Sequence, residues 1–410
     1  MTSTPEVMRH VQSVIKETTI PSWVRSVPRN FGKAKVGTLK ADEWHMLATI
    51  YLPLALVSLW GEGSAHQSHE VKAHLRAVLD NTMALVSAIR IACSRTMTHS
   101  HITAYRSCIL TWLSTLPVAL PVAKPVPNCH MACHIYDYLK LFGPVRLWWC
   151  FPFERLIGHL QHLPINHKFG TSLLIFSTVI LTFQPGELEQ TVLESFIQGS
   201  RLQHWLARPD CPTAIKECKV LFDKYITNSG VSSGDIFSDV AGRAKQAAPT
   251  DLQLLTSQKC TVLHARTDFG GIVFSRYSTH QGNSLIMFYP GGSQSSPPIP
   301  GRIKYIFKDN GRTQLAVQCQ LPAGADAINP FECYPYFPAR LYSAQVDEDL
   351  EVVHLQWVMC HYARWHLSEK YDVILPLLQV SIDTGHCTFY LHITTSKTLL
   401  QVLLFIVFFL

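Results

Sequence analysis

The chain has 410 residues, 47% of them hydrophobic and 16% charged, with 35 Lys and Arg against 29 Asp and Glu for a formal charge of +6. That length exceeds what one core usually supports, so two or three units are expected, and the mild basic excess permits a phosphate-bearing partner without the density of a dedicated nucleic-acid arm. Twelve cysteines without a repeated short spacing, behind an N-terminus that lacks the apolar core of a secretory signal, argue for free thiols in a reducing compartment and against a disulfide framework.

Residues 5–20 carry Val7, Val11, Val14 and Ile15 at helical spacing and predict a short helix. Pro21 to Lys40, with two prolines, two glycines and five basic side chains, reads as an exposed loop. From Ala41 the acids of a first turn lead into an apolar stretch interrupted at Pro53, which predicts a buried helix kinked or broken at the proline. His69–Ser94 carries a broad apolar stripe and Ile102–Leu116 a second, each read as a packed amphipathic helix, and the segment PVALPVAKPVPN breaks off the latter.

Asn128–Gly170 is the stretch densest in side chains able to do chemistry. Thr171–Pro185 is apolar and β-branched, Glu187–Leu206 returns to a helical pattern, and Asn228–Thr250 is a Ser/Gly/Ala-rich joint. From Thr256 short β-type runs follow, among them NSLIMFYPGG, GRIKYIFKD, TQLAVQCQL and VVHLQWVMCHYA, separated by turn clusters such as KDNGR. Such runs predict a small antiparallel sheet or barrel. The fold class is therefore α+β, a mainly helical N-terminal region followed by a β unit. The last thirteen residues, TLLQVLLFIVFFL, are almost wholly apolar. As a helix they would span about 20 Å of a hydrocarbon core about 30 Å thick, so a membrane tail anchor is an alternative reading to an accidental tail.

His130 and His134, four residues apart, place both imidazoles on one helix face, and Cys129 and Cys133 repeat that spacing. Such a pair can ligate zinc; packed or hydrogen-bonded side chains are the alternative. Glu154 follows a proline at the start of an apparent helix, where a carboxylate either caps free amides or serves as a magnesium ligand. Arg155, His167 and Lys168, with Arg25, Arg29, Lys33, Lys35 and Lys40 upstream, intermix with Trp23, Phe31 and Phe169. Cations could meet DNA phosphates while aromatic rings stack on bases, against a plain solvated-loop reading. No phosphate-binding glycine loop or HExxH motif is present in the sequence.

The segment Asn128, His130, His134, then Phe142–Val145, Phe151–Arg155 and Asn166–Gly170 resembles the C-terminal half of fungal transposases of the CACTA (En/Spm-like) class. The resemblance extends over roughly residues 20–365, through PSWVRSVPRNFGKAKVGTLK upstream and RYSTHQGNSLIMF, NPFECYPYFPARLYSAQ and VMCHYARW downstream. It implies an RNase H-like core with a helical insertion, in which three acids bind two Mg²⁺ ions to cleave DNA. It makes Glu154 the third acid, and the stretch expected to carry the other two is not in the chain, so the expectation is a degenerate protein without cleavage activity. DNA binding through Arg155, Lys168, Arg29, Lys33, Lys35 and Lys40, and self-association, are the functions expected to persist, in the nucleus or cytoplasm. An intracellular scaffold, tail-anchored through 398–410, is the alternative. The implied organisation is a helical region at 1–127 and a transposase-like region at 128–227 with an insertion at 171–186. A linker at 228–255, a β domain at 256–366 and an atypical tail at 367–410 complete it.

Overall fold

Val11, Val14 and Ile15 repeat at helical spacing along α1 (Pro5–Glu17), and all three are buried. The computed structural model describes residues 5–33, 39–62, 69–123, 126–149, a few positions between 197 and 212, and 246–256, 259–309 and 311–377. Residues 1–148 and 243–410 fall in one unit and 149–242 in a second, of which only Trp149 and those few positions are described.

The loop after α1 is less exposed than its prolines and charges predict. Val24, Val27 and Phe31 are buried, and Phe31 meets Trp44 edge to face with ring centroids 6.1 Å apart. The next helix does not break at Pro53. It runs as α2 (Ala41–Met46), a π turn (Leu47–Tyr51) and α3 (Leu52–Trp60). Proline has no N–H to offer the carbonyl four residues back, and a widened turn upstream is one way to absorb that loss. The Thr49 carbonyl accepts a hydrogen bond from Arg90 Nη1 at 3.4 Å.

α4 (His69–Ala92) and α5 (His99–Ala119) appear where the apolar stripes place them. The Thr98 side chain caps α5 by accepting from the His101 N–H at 3.2 Å. α6 (Pro127–Phe142) opens on a proline at its first position and stops at Gly143, whose φ of 73° a side chain would oppose.

The end of the stretch read as a linker is structured. β1 (Gln246–Ala247) pairs with β2 (Cys260–Thr261), and α7 (Thr250–Thr256) between them buries Leu252 against Phe307 and Ala316. β3 (Leu263–His264) and the hairpin β4 (Arg266–Phe269) and β5 (Ile272–Ser275) follow, then a single turn, α8 (Gln281–Ser284). The remaining strands are β6 (Leu285–Phe288), β7 (Ile299–Asp309), β8 (Arg312–Pro322), β9 (Arg340–His354), β10 (Val358–His366) and β11 (Tyr371–Leu377). Every pairing is antiparallel, and the order β6-β7-β8-β9-β11-β10 returns to β6, so the six strands close into a barrel with β3 added beside β7. The α+β class is thereby established. The barrel's last strand reaches Leu377, inside the stretch assigned to the tail. The tail beyond it lies outside the described residues, and among the described residues no helix is long and apolar enough to cross a membrane.

Helices and barrel share one core. Ala363 and Trp365 of β10 and Val373, Leu375 and Leu377 of β11 join α1, the 24–31 loop, the π turn, α3 and α4 in a single buried cluster. The chain after α1 adds a two-residue bridge to β10: Thr19 N–H donates to the Arg364 carbonyl at 2.7 Å, and Arg364 N–H donates to that of Thr19 at 3.0 Å. One residue on, Ile20 presses on Gly282. A β-carbon there would collide with the Ile20 carbonyl group and lie 2.9 Å from the Pro21 nitrogen, backbone atoms that cannot rotate aside. Gly282→Ala is therefore expected to cost about 2–3 kcal/mol in urea unfolding. Gly324→Ala, which meets nothing within 4 Å, should cost almost nothing; equal stability of the two variants would contradict the close approach.

Candidate functional site

Charge is divided unevenly along the chain. Residues 5–148 hold fifteen Lys and Arg against eight Asp and Glu, whereas residues 246–377 hold ten against eleven. In the helical part Arg25 is tied to Asp42 at 2.8 Å and Arg76 to Asp80 at 3.0 Å. Arg29, Lys33 and Lys40 are exposed, and their side chains form no ion pair among the described residues. The aromatic residues between them do not face solvent as stacking platforms. Phe31 is buried against Trp44, and half-buried Trp23 turns its indole to the barrel. Lys35, Arg155 and Lys168 lie outside the described residues.

A second group of cations lies where α5 packs on α6. Arg106 and Lys140, both exposed, flank the Tyr136 ring, with the guanidinium carbon 4.8 Å and the ammonium 4.2 Å from its centroid. Hydrogen bonds to the phenol from Lys140 first and Arg106 next lower its pKa. This arrangement collects two positive charges around one oxygen and leaves their outer N–H groups free for an anion.

His130 and His134 do face the same way, with Nε2 atoms 3.0 Å apart and rings at right angles. Both are exposed, and Asp137 approaches His134 Nδ1 at 3.8 Å. The cysteines do not join them: Cys129 is buried, and Cys133 Sγ points to the Cys129 carbonyl at 3.7 Å. Among the described residues no three His, Cys, Asp or Glu side chains stand together as a metal site. Glu154 lies outside the described residues, so the Mg²⁺ chemistry that the resemblance implies has no described ligand set.

Comparison with protein-family models, with curated proteins and with solved structures returns no match for this chain. Function is therefore argued from its own side chains.

A buried polar joint holds the basic half to the barrel. His361 of β10, 1% exposed, stacks on Phe274 with centroids 4.9 Å apart. Its Nε2–H donates to the Asn283 carbonyl at 3.2 Å, and its Nδ1 accepts from Trp23 Nε1–H at 3.4 Å. The Asn283 side chain meanwhile accepts from Ser22 N–H at 2.8 Å and donates to Ser22 Oγ at 2.9 Å. A second ring proton would sit on Nδ1, facing a donor. Burial first, with the neighbouring His280 adding to it and the Asn283 bond opposing, lowers the His361 pKa from 6.5 to about 4. The unfolded chain gains this proton near pH 6.5 and the folded chain only near 4, so stability is full above pH 6.5 and falls as acid crosses that window, by roughly 3 kcal/mol. His361→Gln, which keeps a donor and an acceptor but does not titrate, should flatten this part of the stability profile in urea titrations between pH 7 and 4. An unchanged profile would contradict the assignment.

Sequence reading missed Tyr136, Arg106 and Lys140 because Arg106 stands on α5 and the other two on α6. The spacing of Tyr136 and Lys140 on one helix was the available signal.

Proposed function

We propose that this chain is a transposon-derived protein of the CACTA-transposase type that binds DNA through its helical half and does not cut it. The observation that supports the reading is the basic excess of residues 5–148, with Arg29, Lys33, Lys40, Arg106 and Lys140 exposed. Such cations displace counterions condensed on DNA phosphates, a contribution that is independent of base sequence and falls steeply with salt. With Phe31 buried and Trp23 turned inward, neither ring offers bases a stacking face, and the exposed cations point to contact with the duplex backbone. The lack of cutting rests on the resemblance, which assigns one acid, Glu154, to a reaction that two ions held by clustered carboxylates perform.

Fluorescence anisotropy with a labelled duplex, repeated across a series of salt concentrations, tests the reading. Binding should weaken linearly on a log–log plot, and the combined variant Arg29→Gln, Lys33→Gln and Lys40→Gln should lower the slope by about one for each phosphate that is no longer neutralised. A slope that the three changes leave untouched would remove these residues from the interface. Magnesium-dependent nicking by purified protein, abolished in Glu154→Gln, would overturn the non-cutting half.

A further inference from the structure

The barrel carries a second concentration of cationic side chains, which owes nothing to the sequence resemblance. β6 is short. It begins at Leu285, opposite Arg302 of β7, while β7 continues to Asp309 on one side and β10 to His366 on the other. Tyr277, in the turn before α8, enters beside that gap, its N–H bonded to the Ile303 carbonyl at 2.8 Å. The Tyr277 ring lies 4.9 Å from the guanidinium carbon of Arg302 and 5.8 Å from that of Arg364, and its hydroxyl accepts from Arg364 Nη2 at 3.2 Å. Two arginines from distant strands thus converge on one phenol.

Their charge is matched only in part, by one carboxylate for two guanidinium groups. Arg302 donates through Nε to the neutral Gln318 Oε1 at 3.0 Å. Asp372 stands 4.0 Å from Arg364 Nε, but its closer bond, at 2.8 Å, is to His366 Nδ1. Behind the pair lies Tyr362, wholly buried, whose hydroxyl has no hydrogen-bond partner among the described residues. Arg302, Tyr277 and Arg364 are each partly open to solvent. Planar guanidinium forks fit a tetrahedral oxyanion in a way that single ammonium groups do not.

We propose that Arg302 and Arg364, held apart by Tyr277, bind a phosphate group. The phosphate belongs either to a nucleic-acid backbone or to a free or small-molecule phosphate, and the site stands whether or not the helical half binds DNA.

The full chain is titrated with sodium phosphate against sodium chloride at matched ionic strength, reading thermal unfolding, and in parallel with a labelled duplex. A phosphate-specific rise in Tm that Arg302→Gln removes identifies a free-phosphate site. A loss of about tenfold in duplex affinity in Arg302→Gln, with the salt slope lowered by about one and no effect of inorganic phosphate, identifies a backbone phosphate. Arg302→Lys, which keeps the charge and loses the fork, covers the case in which Arg302→Gln does not fold; it should lose most of whichever response the native chain gives. If neither ligand distinguishes the folded Arg302 variants from the native protein, the proposal is wrong. Because Arg29, Lys33 and Lys40 are untouched here, that failure would leave the DNA reading of the helical half standing.

Discussion

The burial of one face of β10 and β11 under the N-terminal helices is the interaction on which the rest of the structure depends. Ala363, Trp365, Val373 and Leu375 present an apolar surface on adjacent strands, and α1, the 24–31 loop and α3 cover it. Each large side chain so buried contributes about 1.5–3 kcal/mol. The Thr19–Arg364 bridge then satisfies backbone groups of β10 beyond the start of β6, the Ile20–Gly282 approach brings the chain against α8, and His361 with Asn283 anchors Trp23 and Ser22. Remove this cover and the barrel keeps its hydrogen-bonded ring but exposes the outer side of two strands.

That joint also carries the separation of charge. The helical half brings the basic excess, while the barrel itself is close to neutral and sets two of its arginines, Arg302 and Arg364, at one gap beside a short strand. Two groups of cations therefore ride on a single core, one diffuse and exposed, the other small and partly enclosed. For the proposed DNA contact such rigidity matters, because a cation on a mobile segment gives back in entropy what it gains in attraction.

Much of the architecture was legible in the sequence. The stripes of α4 and α5 and the punctuated runs that became β6–β8 announced themselves by period, and the turn at Gly311, φ 77°, was visible as KDNGR. What escaped was long-range. Nothing local in Val24, Val27 and Phe31 says that a proline-rich loop will be buried, because the surface that buries them is contributed by other parts of the chain. Pro53 announced a kink or a break, and the widened turn before it carries the helix through. At the candidate sites the pattern repeats: His130 and His134 met as their spacing required, but the Arg302–Tyr277–Arg364 cluster joins three separated positions, and only the closure of the barrel brings them together.

The shared core is tested most directly by native-state hydrogen exchange on the full chain. The account predicts that the amides of Thr18 and Thr19, of Arg364 and of Val373–Leu375 open with the same free energy and respond in parallel to denaturant, as members of one cooperative unit. If the barrel strands remained protected while α1 and the Thr19 bridge exchanged at far lower free energy, helices and barrel would be separate bodies, and the account would fail.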